Sequence, residues 1–90
     1  MLSTILEVVY HWGLGSSAKI LWIRLYDAYQ YEQFAGTYEE MADEMHSKRY
    51  TVRAQIAALR EIGAIETGNY YENANAGNTF RLIDPKKWKK

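Results

Sequence analysis

The sequence predicts a small, mainly α-helical domain that closes with a β-hairpin. Three observations carry that expectation. Apolar residues recur at helical spacing in three successive segments between Ala18 and Ile62. Two runs of strand-type residues, Ala64 to Glu72 and Thr79 to Ile83, flank the turn-forming stretch Asn73-Ala-Asn-Ala-Gly-Asn78. With 90 residues there is room for one domain only, and a chain this short buries about 60% of its unfolded surface.

Residues 2–12 are rich in β-branched and aromatic types. They read as a strand or extended arm, with a short helix as the alternative. Gly13 and Gly15 break this segment, so residues 1–15 form an N-terminal arm. Ser16 or Ser17 can cap a helix running from about Ala18 to Tyr31. Leu21, Trp22, Leu25, Ala28 and Tyr29 share one of its faces, while Lys19, Arg24 and Asp27 lie opposite. Ile20 and Ile23 project toward the polar side, so the arm or a second protomer is expected to cover them.

Phe34-Ala35-Gly36 reads as a short connector. Thr37-x-x-Glu40 has the spacing of a capping box and opens a second helix. Tyr38, Met41, Ala42 and Met45 face its core, and Glu39, Glu40, Asp43 and Glu44 face water. A third helix starts near Lys48 to Thr51, buries Val52, Ile56 and Leu59, and ends before Gly63, which is placed for a left-handed cap. The hairpin then spans residues 64–83, although Gly68 weakens its first strand. Asp84-Pro85 stops the second strand. The domain therefore covers residues 16–85, and residues 86–90 are a basic tail in which Trp88 can fold back.

Composition removes several classes. The absence of cysteine excludes a disulfide scaffold and a thiolate zinc site. No apolar run is long enough to span a membrane and no secretory signal is visible, so the expected location is the cytoplasm. His11 and His46 have no ligand-spaced partners, and there is no glycine-rich phosphate loop or nucleophile elbow. Enzyme chemistry, cofactors, metals and a small-molecule ligand are therefore not expected.

The formal net charge of zero is a sum of two unlike halves. Residues 1–45 hold two basic side chains and seven acidic ones; residues 46–90 hold nine basic and four acidic. One face of the fold can therefore be positive despite the balance.

The order of helix, helix, helix and hairpin is that of a winged helix-turn-helix. The run from Thr37 to Glu66 resembles the helix-turn-helix segment of bacterial and phage winged-helix proteins. Thr51-Val52 matches the opening of their recognition helix, and Leu59-Arg-Glu-Ile-Gly63-Ala-Ile65 matches its close and the entry to the wing. Ser16 to Tyr26 is similar to the first helix of replication-initiator-like members. The fold class expected is thus mainly α with a β-hairpin wing, three helices plus a two- or three-stranded sheet, and an extra N-terminal arm. One departure stands out: Met45-His46-Ser47 occupies the tight turn where many members have glycine.

The resemblance implies double-stranded DNA as partner, with the third helix entering the major groove. Arg49, Tyr50, Arg53, Ala54 and Ala57 then face outward, given Val52 as the inward direction. Arginine can pair with guanine or grip phosphate, Ser47, Lys48 and Thr51 can reach phosphate, and the alanines let the helix sit deep. His46 reads as a cap or a phosphate contact. Asn73, Asn75, Gly77 and Asn78 at the wing tip, with Arg81 on the returning strand, can touch backbone or minor groove. Lys86 and Lys87 can add phosphate contacts.

The function expected is sequence-specific DNA binding, as a transcription regulator or replication-initiation factor. The alternative is a protein-interaction or dimerisation module without DNA readout. It draws on three Trp, eight Tyr and two Phe in so short a chain. Tyr10, Trp12, Ile20 and Ile23 are the candidate arm or dimer contacts, with Tyr31, Tyr70 and Tyr71 as further interface candidates, and a homodimer is the expected assembly.

Overall fold

The computed structural model describes residues 2–69 and 78–89. Eight elements follow one another: α1 (Leu2–Val9), α2 (Ser16–Tyr29), β1 (Phe34–Gly36), α3 (Tyr38–Glu44), α4 (Arg49–Glu61), β2 (Ile65–Asn69), β3 (Asn78–Leu82) and a 3₁₀ turn at Pro85–Lys87. The strands form one antiparallel sheet in the order β1-β3-β2. This is a winged-helix-like arrangement, a helix-turn-helix followed by a hairpin, with an additional helix at the N-terminus.

That additional helix is the short-helix alternative for residues 2–12, and it corrects the first expectation of a strand or extended arm. Leu2 to Val9 is helical, because Val8 can then reach the core (0% exposed) and the Lys19 ammonium donates to the Val9 carbonyl at 2.6 Å, closing the helix end. The cap of α2 is also corrected. Gly15 is the N-cap, Ser16 and Ser17 lie within the helix, and no side chain caps it.

The buried face of α2 is Ala18, Leu21, Trp22, Leu25 and Tyr26, not one running through Ala28 and Tyr29. Tyr26 is drawn in by stacking on Trp22 at 5.2 Å, whereas Tyr29 lies over Phe34 at 4.0 Å nearer the surface. Ile23 is partly buried against the core, and Ile20 stays 57% exposed.

Phe34–Gly36 is a strand and not merely a connector. It pairs with β3, setting Phe34 opposite Phe80, and so adds the third strand of the sheet. Three residues carry too little alternation to be legible as a strand in isolation. Across the hairpin, Gly68 faces Thr79, and a Cβ on Gly68 would meet the Thr79 hydroxyl at 2.7 Å. The glycine that weakens the strand as sequence is what lets the two strands close here.

Val52, Ile56 and Leu59 of α4 are buried against Leu21, Trp22, Ile65, Phe80 and Leu82 in a single core. Two indole donors tie distant segments to it. Trp22 Nε1 donates to the Ala64 carbonyl at 2.9 Å, and Trp88 Nε1 to the Ile83 carbonyl at 2.7 Å. The tail is therefore part of the fold as far as Lys89. Trp88 is 7% exposed, sits edge-on to both Trp22 and His11 at 5.2 Å, and is followed by a Lys89 N–H bond to the Ile62 carbonyl at 2.7 Å. Among the described residues no helix is long and apolar enough to cross a membrane.

Candidate nucleic-acid interface

The turn joining α3 to α4 positions the site. Thr37 and Glu40 make the reciprocal capping box at the start of α3: the hydroxyl accepts from the Glu40 N–H at 3.1 Å and the carboxylate accepts from the Thr37 N–H at 3.1 Å. At the other end Met45 is the C-cap and His46 adopts φ 53°. The His46 N–H donates to the Asp43 carbonyl at 3.3 Å, and the Ser47 N–H to the Ala42 carbonyl at 2.8 Å. These two bonds form a Schellman motif, with histidine where glycine is usual.

The end of α4 repeats the motif with glycine in place. Gly63 has φ 77°, its N–H donates to Arg60, and the Ala64 N–H donates to Leu59 at 2.8 Å. The departure at His46 thus changes the residue and not the turn.

Lys48 is the N-cap of α4, without a side-chain cap. From there the helix divides cleanly. Val52, Ile56 and Leu59 are buried, and Arg49, Tyr50, Arg53, Ala54, Ala57 and Arg60 are exposed. The sequence-predicted outward residues from Lys48 to Ala57 therefore occupy one continuous face. Ser47 and Thr51 are half-buried at its edge, and the Ser47 hydroxyl donates to the Met45 carbonyl at 3.3 Å. The Lys48 ammonium sits 5.8 Å from the centre of the Tyr50 ring, a cation–π contact at an open site. Arg60, near the far end, is held to β2 by a 3.1 Å bond to the Thr67 hydroxyl.

The electrostatics of this face are unbalanced. The first turn of α4 contains no acid, while that of α3 contains Glu39 and Glu40. Lys48 and Arg49 therefore sit at the positive end of the helix dipole, where a cation is disfavoured by about 0.3–1 kcal/mol. Among the described residues neither Arg49 nor Arg53 has a hydrogen bond or ion pair.

The other predicted contacts lie elsewhere. Asn73, Asn75 and Gly77 fall outside the described residues, as do Tyr70 and Tyr71. Asn78 opens β3, and Arg81 stands opposite Glu66 across the hairpin. Arg81 and Lys87 line a shallow groove of about 450 Å³ together with Tyr31, Glu66 and Asp84. The Tyr31 hydroxyl there is pushed above its ordinary range, first by burial and then by the Asp84 carboxylate, with a Thr4 hydrogen bond opposing. This groove carries both signs of charge, unlike the first two turns of α4. Lys86 is exposed, and its N–H is tied to the Asp84 carboxylate at 3.0 Å.

Tyr10 and Trp12 are 74% and 100% exposed. Sequence reasoning did not join them to Glu7, His11 and Pro85, which line one groove with them. Pro85 is too distant along the chain for any linear pattern to reveal that. Among the described residues no group of three or more His, Asp or Glu side chains could hold a metal ion.

Comparison with known proteins adds no relative: no family model matches the chain, and neither does any curated protein or solved structure.

Proposed function

We propose that this protein binds double-stranded DNA in a sequence-specific way, acting in the cytoplasm as a transcription regulator or replication-initiation factor. In this reading α4 enters the major groove. Arg53 reads a base edge, and Arg49, Lys48 and the Thr51 hydroxyl grip the flanking phosphates. Ala54 and Ala57 keep the middle of the face low so that the helix can approach.

The observation that carries the proposal is the uncompensated charge at the start of α4. Lys48, Arg49 and Arg53 have no acid in the helix's first turn, and among the described residues the two arginines have no partner. A polyanion supplies the compensation that the fold withholds. The zero net charge predicts few phosphate contacts and weak non-specific binding, so base contacts, or a second copy reading the other half of a palindrome, must supply the affinity.

Selection of bound sequences from random duplex DNA tests this. The expected result is an enriched motif, palindromic if two copies bind. Absence of duplex binding at about 50 mM salt, where phosphate contacts are strongest, sinks the reading. The interaction-module reading would then lead, on the strength of the fully exposed Trp12.

A further inference from the structure

The surface that contrasts in chemistry with α4 is the α1 face and the turn that follows it. Leu6 and Val9 of α1 and Tyr10 just past its end fall at i, i+3 and i+4 and are all exposed, which makes one apolar stripe open to solvent. Trp12 stands beyond it, wholly exposed. Beside it lies a predominantly apolar groove of about 400 Å³ lined by Glu7, Tyr10, His11, Trp12, Gly13 and Pro85.

The exposure of Trp12 is a held presentation. Val8 and Leu14, on either side of the turn, are buried in the core. His11 packs edge-on against Trp88, and its Nδ1 accepts the Gly13 N–H at 3.0 Å. A turn pinned at both ends loses little backbone freedom when the indole it carries is buried.

We propose that this patch is a homodimer interface in which Trp12 of each copy inserts into the groove of the other. The occupant is a second copy because the patch is its own complement. It offers one projecting indole and one recess larger than an indole, side by side, which is what a two-fold isologous contact requires. Glu7 in the groove supplies a carboxylate for the indole N–H, the one polar atom of the inserted ring. Among the described residues Glu7 is the one carboxylate or basic Lys/Arg side chain that lines the groove, so the face that meets its copy is nearly free of charge. The area is also of the right order. Tyr10 and Trp12 offer about 300–500 Å² between them, against about 800 Å² per partner in a standard interface, and Leu6, Val9 and the groove floor extend the contact. Ile20 is not needed for it, and Ile23 is already packed against the core.

The proposal rests on the two-copy part of the DNA reading but not on DNA binding itself, and is tested without DNA. Sedimentation of the full chain over a concentration series is expected to show a reversible dimer. W12A is expected to raise the dimer dissociation constant by about 30-fold or more, as for a central tryptophan anchor. At concentrations low enough for the parent to be monomeric, the variant's thermal midpoint is expected to match that of the parent, since Trp12 is wholly exposed in the monomer. W12F is expected to retain part of the association. Emission gives a second readout: Trp22 and Trp88 are buried, so a red shift on dilution reports Trp12 leaving its groove. A parent chain that stays monomeric at about 1 mM overturns both the two-copy reading and this surface. A parent dimer that W12A leaves intact, or whose emission does not shift on dilution, overturns the surface alone.

Discussion

Helices α4 and α1 make opposite use of the same device. α4 buries the apolar row Val52, Ile56 and Leu59, α1 buries Val8 alone among its described side chains, and each turns another face to solvent. The outward face of α4 is Lys48, Arg49, Tyr50, Arg53 and two alanines; that of α1 is Leu6, Val9 and Tyr10, leading to Trp12. Burial is what both faces lack, and their chemistry separates them. A cationic helix start with no acid in its first two turns asks for a polyanion, and an apolar face asks for another protein surface. The helices differ also in how they are held. α4 lies at the centre of the core, while α1 depends on Val8, the Lys19 bond and the tail that returns through Trp88.

The largest effect should come from cutting that attachment. Trp88→Ala removes an indole packed against Trp22 and His11 together with its bond to Ile83, and is expected to cost about 3–5 kcal/mol by urea titration. Amide exchange in α1 should accelerate more than in α4. Equal acceleration in both helices would remove the distinction between a central and an appended helix.

A smaller effect sharpens the α4 side. Arg53→Ala is expected to weaken binding to a selected site by roughly 1–3 kcal/mol and to relax preference at one base pair, read by fluorescence anisotropy. Neutralising Lys86 and Lys87 should instead weaken all sequences alike. For every phosphate no longer neutralised, the slope of log affinity against log salt should become shallower by about 0.9. Identical behaviour of the two variants would mean that α4 contributes charge and no readout.

The smallest effect concerns the turn that aims α4. His46 holds φ 53°, a conformation that costs a residue with a Cβ about 1–2 kcal/mol, of which glycine's greater chain entropy returns about 0.5–1. His46→Gly is therefore expected to raise stability by about 0.5–1 kcal/mol in thermal melts. Lost DNA affinity in that variant would assign the imidazole to the interface as well as to the turn.

Much of this architecture is legible in the sequence, and for local reasons. The capping box at Thr37 and Glu40, the left-handed Gly63 and the buried row of α4 follow from spacing within one or two turns of helix. The outward face of α4 follows from the same periodicity. The segments that depart from expectation are those whose conformation is set by distant partners. Residues 2–9 have strand-like composition, yet become a helix that buries Val8. Phe34–Gly36 becomes a strand only because β3 is there to pair with it. The buried face of α2 turns toward Tyr26 because Trp22 offers a ring to stack on.

By itself, then, the sequence determined the order of helices and hairpin, the caps at Thr37 and Gly63, and which side of α4 points outward, because each is a short-range matter of periodicity and backbone preference. Tertiary structure decided the rest. It drew the tail into the core through Trp88, closed a third strand onto the sheet, tied Arg60 to Thr67, and set Pro85 beside Glu7, Tyr10 and Trp12. Most of those outcomes join residues far apart along the chain, and their energies come from burial and pairing that exist only once both partners are in place.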